Sequence, residues 1–155
     1  VMFFPDKAQG MAEALRVLAP GGRLLFNTWG PIESNPLIRV AVETIDGFFA
    51  SDPPQFFKVP FGYYNIAAIE QTVAGAGFAD VAHERLALDA RTSAADAAHG
   101  LVHGNPTLTE LRARGSTDPD VAEAALAEAL AGALGDPVQT AMDAIVVSAR
   151  KPAAS

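Results

Sequence analysis

His99 and His103 stand four residues apart in a segment with helical spacing, so both imidazoles can face one ligand. The zinc-protease pattern needs a glutamate directly after the first histidine, and position 100 is glycine. No third ligand is evident in the sequence, so no metal is expected, and the pair is read as pocket-lining or surface. Trp29, Phe61, Tyr63 and Tyr64 suggest a different chemistry. Four rings and two phenol hydroxyls can build an apolar pocket with polar handles; the alternative is that they only pack a loop onto the domain. The candidate binding set is therefore Trp29, Phe61, Tyr63, Tyr64, His99 and His103. His83, beside Glu84, reads as an exposed or hydrogen-bonded histidine. Glu33, Asp52 and Asp89 are isolated acids that form no acid/base pair. No Gly-x-Ser-x-Gly, P-loop or triad pattern occurs, so no catalytic residue is assigned.

Composition narrows the classes. The 155 residues suit one domain with a real core. The absence of cysteine excludes disulfides, thiolate metal sites and a cysteine nucleophile. A net charge of −7 with no basic run argues against a nucleic-acid partner. No apolar stretch approaches the roughly 20 residues of a membrane span, and no signal peptide opens the chain. A cytoplasmic globular protein is expected. The start Val1-Met2-Phe3-Phe4 reads as the end of a buried strand cut mid-element, which predicts a longer parent protein.

These residues need elements to position them. Asp6 caps a helix to Leu18 with Met11, Leu15 and Leu18 on one face, and Pro20-Gly21-Gly22 ends it. Arg23–Thr28 follows as a strand whose consecutive Leu24, Leu25 and Phe26 predict burial on both faces. Asn35-Pro36 starts a helix to about Phe49. Ser51 to Tyr64 is a loop rich in aromatics, the composition of a lid or binding loop. Asn65 caps a helix through Ala76, with Gly77 as its left-handed end. Phe78–Leu88 predicts a strand with an irregularity near His83. Helices are expected at Ala94–His103, Leu108–Arg114 and Pro119–Leu134, the second opened by a capping box at Thr107-Leu108-Thr109-Glu110. Thr140–Ala149 closes the chain as a strand.

The string FPDKAQGMAEALRVLAPGGRLLFNTW resembles the second half of a class I S-adenosylmethionine-dependent methyltransferase. Pro5-Asp6 matches the turn after the family's fourth strand. Arg16-Val17-Leu18-Ala19-Pro20-Gly21-Gly22 matches its R-x-L-x-P-G-G helix end, and Arg23-Leu24-Leu25-Phe26 its fifth strand. Ala76-Gly77-Phe78-Ala79-Asp80-Val81 matches the A-G-F entry to the sixth strand, and Met142–Arg150 the antiparallel seventh. The nearest branch is that of the ubiquinone/menaquinone C-methyltransferases. The resemblance implies an α/β chain: the C-terminal half of a Rossmann-like methyltransferase fold, a mixed sheet with an antiparallel last strand, plus inserted helices. It would form a single partial domain, with 29–65 and 92–136 as lid or acceptor-side insertions. It also implies S-adenosylmethionine as cofactor of the intact parent and a small-molecule acceptor as its partner. The family's Gly-rich cofactor turn and ribose-binding acid have no counterpart here, so no cofactor is expected on this chain alone, which would be inactive.

Two further expectations follow. Arg23–Thr28 should neighbour Thr140–Ala149, which should neighbour Phe78–Leu88, although strands adjacent in sequence usually pair. The free edge of Arg23–Thr28 should then promote a homodimer. The rival reading is a non-catalytic α/β interaction domain that self-associates or holds a partner through its aromatic loop.

Overall fold

The computed structural model describes residues 1–153. The chain is α/β, and its described residues form nine main elements. They are α1 (Lys7–Val17), β1 (Arg23–Trp29), α2 (Pro36–Asp46), α3 (Ile66–Gly75), β2 (Ala79–Thr92), α4 (Ala94–His103), α5 (Thr107–Arg114), α6 (Pro119–Leu134) and β3 (Val138–Arg150). The strands form one sheet in the order β1-β3-β2, with β3 antiparallel to β1. This is the order expected from the sequence. The last strand separates two strands that precede it, so neither β1 nor β2 can pair with the other.

The chain divides into two compact units. The first holds Val1–Pro31, Pro60–Leu86 and the chain from Asp143 on. In it α1 and α3 pack together and cover one face of the sheet. Met11, Ile69 and Val73 meet Ile145, Val147 and Ala149, with Leu24 and Phe26 at their edge. The register explains this pattern: Leu24 faces Ala149, Phe26 faces Val147 and Thr28 faces Ile145, so all six share a side. Asp6 caps α1 by accepting from the Gln9 N–H at 2.8 Å, and Asn65 caps α3 by accepting from Ala68. Gly77 takes φ +102 after α3, a conformation glycine adopts without strain. At the other end of α1, Lys151 Nζ donates to the carbonyls of Leu15 and Leu18, both at 2.8 Å.

The second unit holds Ile32–Val59 and Ala87–Met142; the sequence places insertions at 29–65 and 92–136. Here α6 packs against α2 and α4. Ile38, Ala41 and Ile45 of α2, Ala98 and Val102 of α4, and Ala122, Leu126 and Leu130 of α6 are buried. Among the described residues no helix is long and apolar enough to cross a membrane.

Four local expectations are corrected. Val1–Phe4 is a turn, closed by the Phe4 N–H on the Val1 carbonyl, and Phe3 is 58% exposed; the segment is no strand end. Leu25 is 68% exposed, so β1 is buried on one face and not two; apolar sequence alone does not say how many layers cover a strand. The irregularity of β2 falls at Asp80, with φ +52, and not near His83. The capping box does not form. Pro106 already holds helical angles, Asn105 accepts from the Thr107 N–H, and the Glu110 carboxylate accepts from Gln55 at 2.6 Å instead.

Candidate functional site

The carboxyl end of β1 carries the first cluster. Trp29 is its last residue and stacks on Phe61, with ring centroids 5.6 Å apart and planes 17° off parallel. The chain continues into Gly30, whose N–H donates to the Asp143 carbonyl at 2.9 Å. The Asp143 carboxylate lies against Gly30 so closely that an added Cβ would stand 1.9 Å from Oδ2. Position 30 therefore needs glycine for close approach. Arg85 of β2 holds this buried acid: its Nε donates to Oδ1 at 2.8 Å and its Nη2 to Oδ2. The hydrogen bond to Asp143, then its charge, push the Arg85 guanidinium still further above its already high ordinary value. Both Asp143 oxygens are thus engaged by one guanidinium. The cluster offers a flat aromatic wall beside an ion pair whose acid is buried, an arrangement that can position a ligand.

The other predicted aromatics divide. Tyr63 is 9% exposed and packs into the core, with Lys7 Nζ 4.9 Å from its ring centroid, and its buried hydroxyl has no hydrogen-bond partner. Tyr64 is 44% exposed. His83 donates to or accepts from Glu70, at 2.8 Å, rather than the adjacent Glu84.

In the second unit His99 and His103 stack with centroids 4.8 Å apart at 21°. A third candidate ligand, not evident in the sequence, lies beside them. Glu123 of α6 places Oε2 2.7 Å from His103 Nε2, and both its oxygens lie 3.3 Å from His99 Nδ1. These three residues could hold a metal ion. Glu123 was missed because it lies twenty residues beyond His103, on another helix. Of the isolated acids, Asp52 is tied to Arg114, whose Nε donates to its carbonyl at 2.7 Å. Asp89 lines an open cleft of about 450 Å³ with Ala90, Arg91, Gln139 and Thr140. Asp143 and Arg85 were also missed, although a lone acid inside the apolar strand Met142–Val147 was a usable signal.

No protein-family model matches the chain, and no curated protein matches it. Solved structures similar to it include the following two. One is a Bacillus halodurans protein whose methyltransferase function is itself an assignment; it shares 19% identity at a TM-score of 0.48, over 96% of this chain and 59% of that one. The other is phosphoethanolamine N-methyltransferase 2 of Haemonchus contortus, solved with phosphomonomethylethanolamine and S-adenosylhomocysteine. It shares 13% identity at a TM-score of 0.43, over 98% of this chain and 32% of that one. The chain thus spans less than two thirds of the length of either protein.

Proposed function

We propose that the chain is the C-terminal, acceptor-side portion of an S-adenosylmethionine-dependent small-molecule methyltransferase, close to the ubiquinone/menaquinone C-methyltransferase branch. The observation that carries this reading is the strand order β1-β3-β2 with β3 antiparallel to β1. It is what the R-x-L-x-P-G-G resemblance implies for the fifth, seventh and sixth strands of that family. Ligands of open α/β sheets bind outside the carboxyl ends of the strands, where Trp29 and Phe61 stack. In this reading the aromatic pair positions an apolar acceptor, and the parent's remaining residues hold S-adenosylmethionine. Methyl transfer would be an in-line displacement at the sulfonium carbon, helped chiefly by positioning.

Calorimetric titration of S-adenosylhomocysteine into residues 1–155 is expected to give only heat of dilution. The same titration into the chain joined to its in-frame upstream sequence is expected to give a micromolar Kd, roughly −8 kcal/mol. In that longer chain Trp29→Ala should raise the acceptor KM about tenfold while leaving cofactor affinity unchanged, the mark of lost acceptor binding. Micromolar binding by residues 1–155 alone would overturn the division of the site. Failure of the longer chain to bind would favour the non-catalytic reading.

A further inference from the structure

We propose that His99, His103 and Glu123 form a binding site for a divalent first-row transition metal of the Zn2+ type, which clamps α4 to α6. This site is independent of the methyltransferase reading.

The two histidines occupy consecutive turns of α4, so their rings lie one above the other on the same face. Glu123 comes from the first turns of α6, which packs directly on α4. Behind the three ligands the helix pair is closed by Ala98, Val102, Ala122 and Leu126, all fully buried. Both helices have satisfied starts: Ser93 accepts from the Asp96 N–H, and Asp118 accepts from the Asp120 N–H. The ligands therefore project from rigid, packed elements, which is what a metal site requires.

The distances suit an ion. Tetrahedral coordination at 2.0–2.1 Å separates ligand atoms by about 3.3 Å. His99 Nδ1 stands 3.3 Å from both Glu123 oxygens, and the three ligand atoms all lie within 4.8 Å of one another. The His103 contact adds a chemical argument. Its Nε2 is sealed from solvent and makes no hydrogen bond of acceptable geometry, although Glu123 Oε2 is 2.7 Å away. Proximity without alignment leaves a buried polar atom unsatisfied, at a cost. A cation bound by the ring nitrogen and the carboxylate would satisfy both, the pair opening from 2.7 Å to about 3.3 Å. Asp120, one turn before Glu123, puts Oδ1 3.9 Å from the same nitrogen and adds a second negative charge.

Two imidazoles and one carboxylate favour Zn2+, Co2+, Ni2+ or Cu2+ over Mg2+ and Ca2+, which prefer all-oxygen sets. Three protein ligands leave one tetrahedral position for water. His99 is 65% exposed at its side chain, so the ion has a path from solvent.

The test uses the whole chain. Titration with Zn2+ is expected to show one site with a Kd of about 1 μM or tighter, and Mg2+ none. Co2+ should give visible d–d absorption of the intensity typical of four or five ligands. His99→Ala alters an exposed side chain and should leave folding intact, yet weaken Zn2+ binding at least tenfold, as should Glu123→Gln. Excess Zn2+ should raise Tm in the parent but not in either variant. His83→Ala should change none of these readings. Absence of Zn2+ binding at ~100 μM would overturn the proposal, since it lies far above the expected constant. So would Zn2+ binding that both His99→Ala and Glu123→Gln leave unchanged.

Discussion

Gly30 has no room for a side chain, because the Asp143 carboxylate occupies the space where its Cβ would stand. Gly30→Ala must displace that carboxylate from Arg85 or move the backbone. Since Asp143 is buried, either response leaves a charge poorly compensated, and a loss of about 2 kcal/mol is expected in urea unfolding. Asp46, at the end of α2, gives a pH-dependent prediction. Desolvation raises its pKa above the ordinary value, with attraction to Lys58 opposing. A carboxyl whose folded pKa is raised contributes stability below its unfolded pKa and loses it as pH rises through the folded value. Asp46→Asn removes that loss. The variant should therefore melt above the parent at pH 7, and the two Tm values should converge as pH falls through the carboxylate range. Equal Tm values across the range would show that water reaches Asp46 in the folded state.

Capping decides much at the scale of the element. Asp6, Asn65, Ser93 and Asp118 each accept from a backbone N–H in the first turn of their helix, and for Asp6 and Asn65 this was expected from residue type and position. The C-terminal cap of α1 was not readable. Lys151 lies more than 130 residues from the carbonyls of Leu15 and Leu18 that it caps. The same lysine ties the chain after β3 to the Pro20-Gly21-Gly22 turn: its N–H donates to the Gly22 carbonyl at 2.8 Å, and Gly21 N–H donates to the Lys151 carbonyl at 3.0 Å. Lys151→Met keeps the stem and removes the donors. It should cost about 1–2 kcal/mol in chemical denaturation, because two helix-end carbonyls lose a charged partner. A change below ~0.3 kcal/mol would mean that water replaces the ammonium at both carbonyls at no net cost.

For the whole molecule the open question is association. β1 is an edge strand of the three-stranded sheet, and Leu25 projects from it 68% exposed. Edge strands with apolar side chains and no proline template pairing with another chain. The net charge of −7 opposes this only weakly, because repulsion is screened beyond about 8 Å at physiological salt. Light scattering at micromolar concentration is expected to report a dimer, and Leu25→Lys to return a monomer. A monomeric parent chain would remove the dimer and, with it, the case for self-association through β1.

The sequence by itself determined the local structure. Helix starts, the Pro20-Gly21-Gly22 reversal and the strands at Arg23 and Thr140 follow from caps, periodicity and turn residues within a few positions of one another. The sheet order was also legible, but through resemblance, since periodicity does not say which strand lies beside which. Burial of Leu24-Leu25-Phe26 was misjudged, because the layers that cover a strand come from elsewhere in the chain. Only the tertiary structure brought Arg85 to Asp143, 58 positions away, and Glu123 to the two histidines. Both clusters depend on elements far apart in sequence packing side by side. Such contacts are chosen by the burial of whole helix and sheet faces, and the polar groups that meet there carry no local signal of their partners.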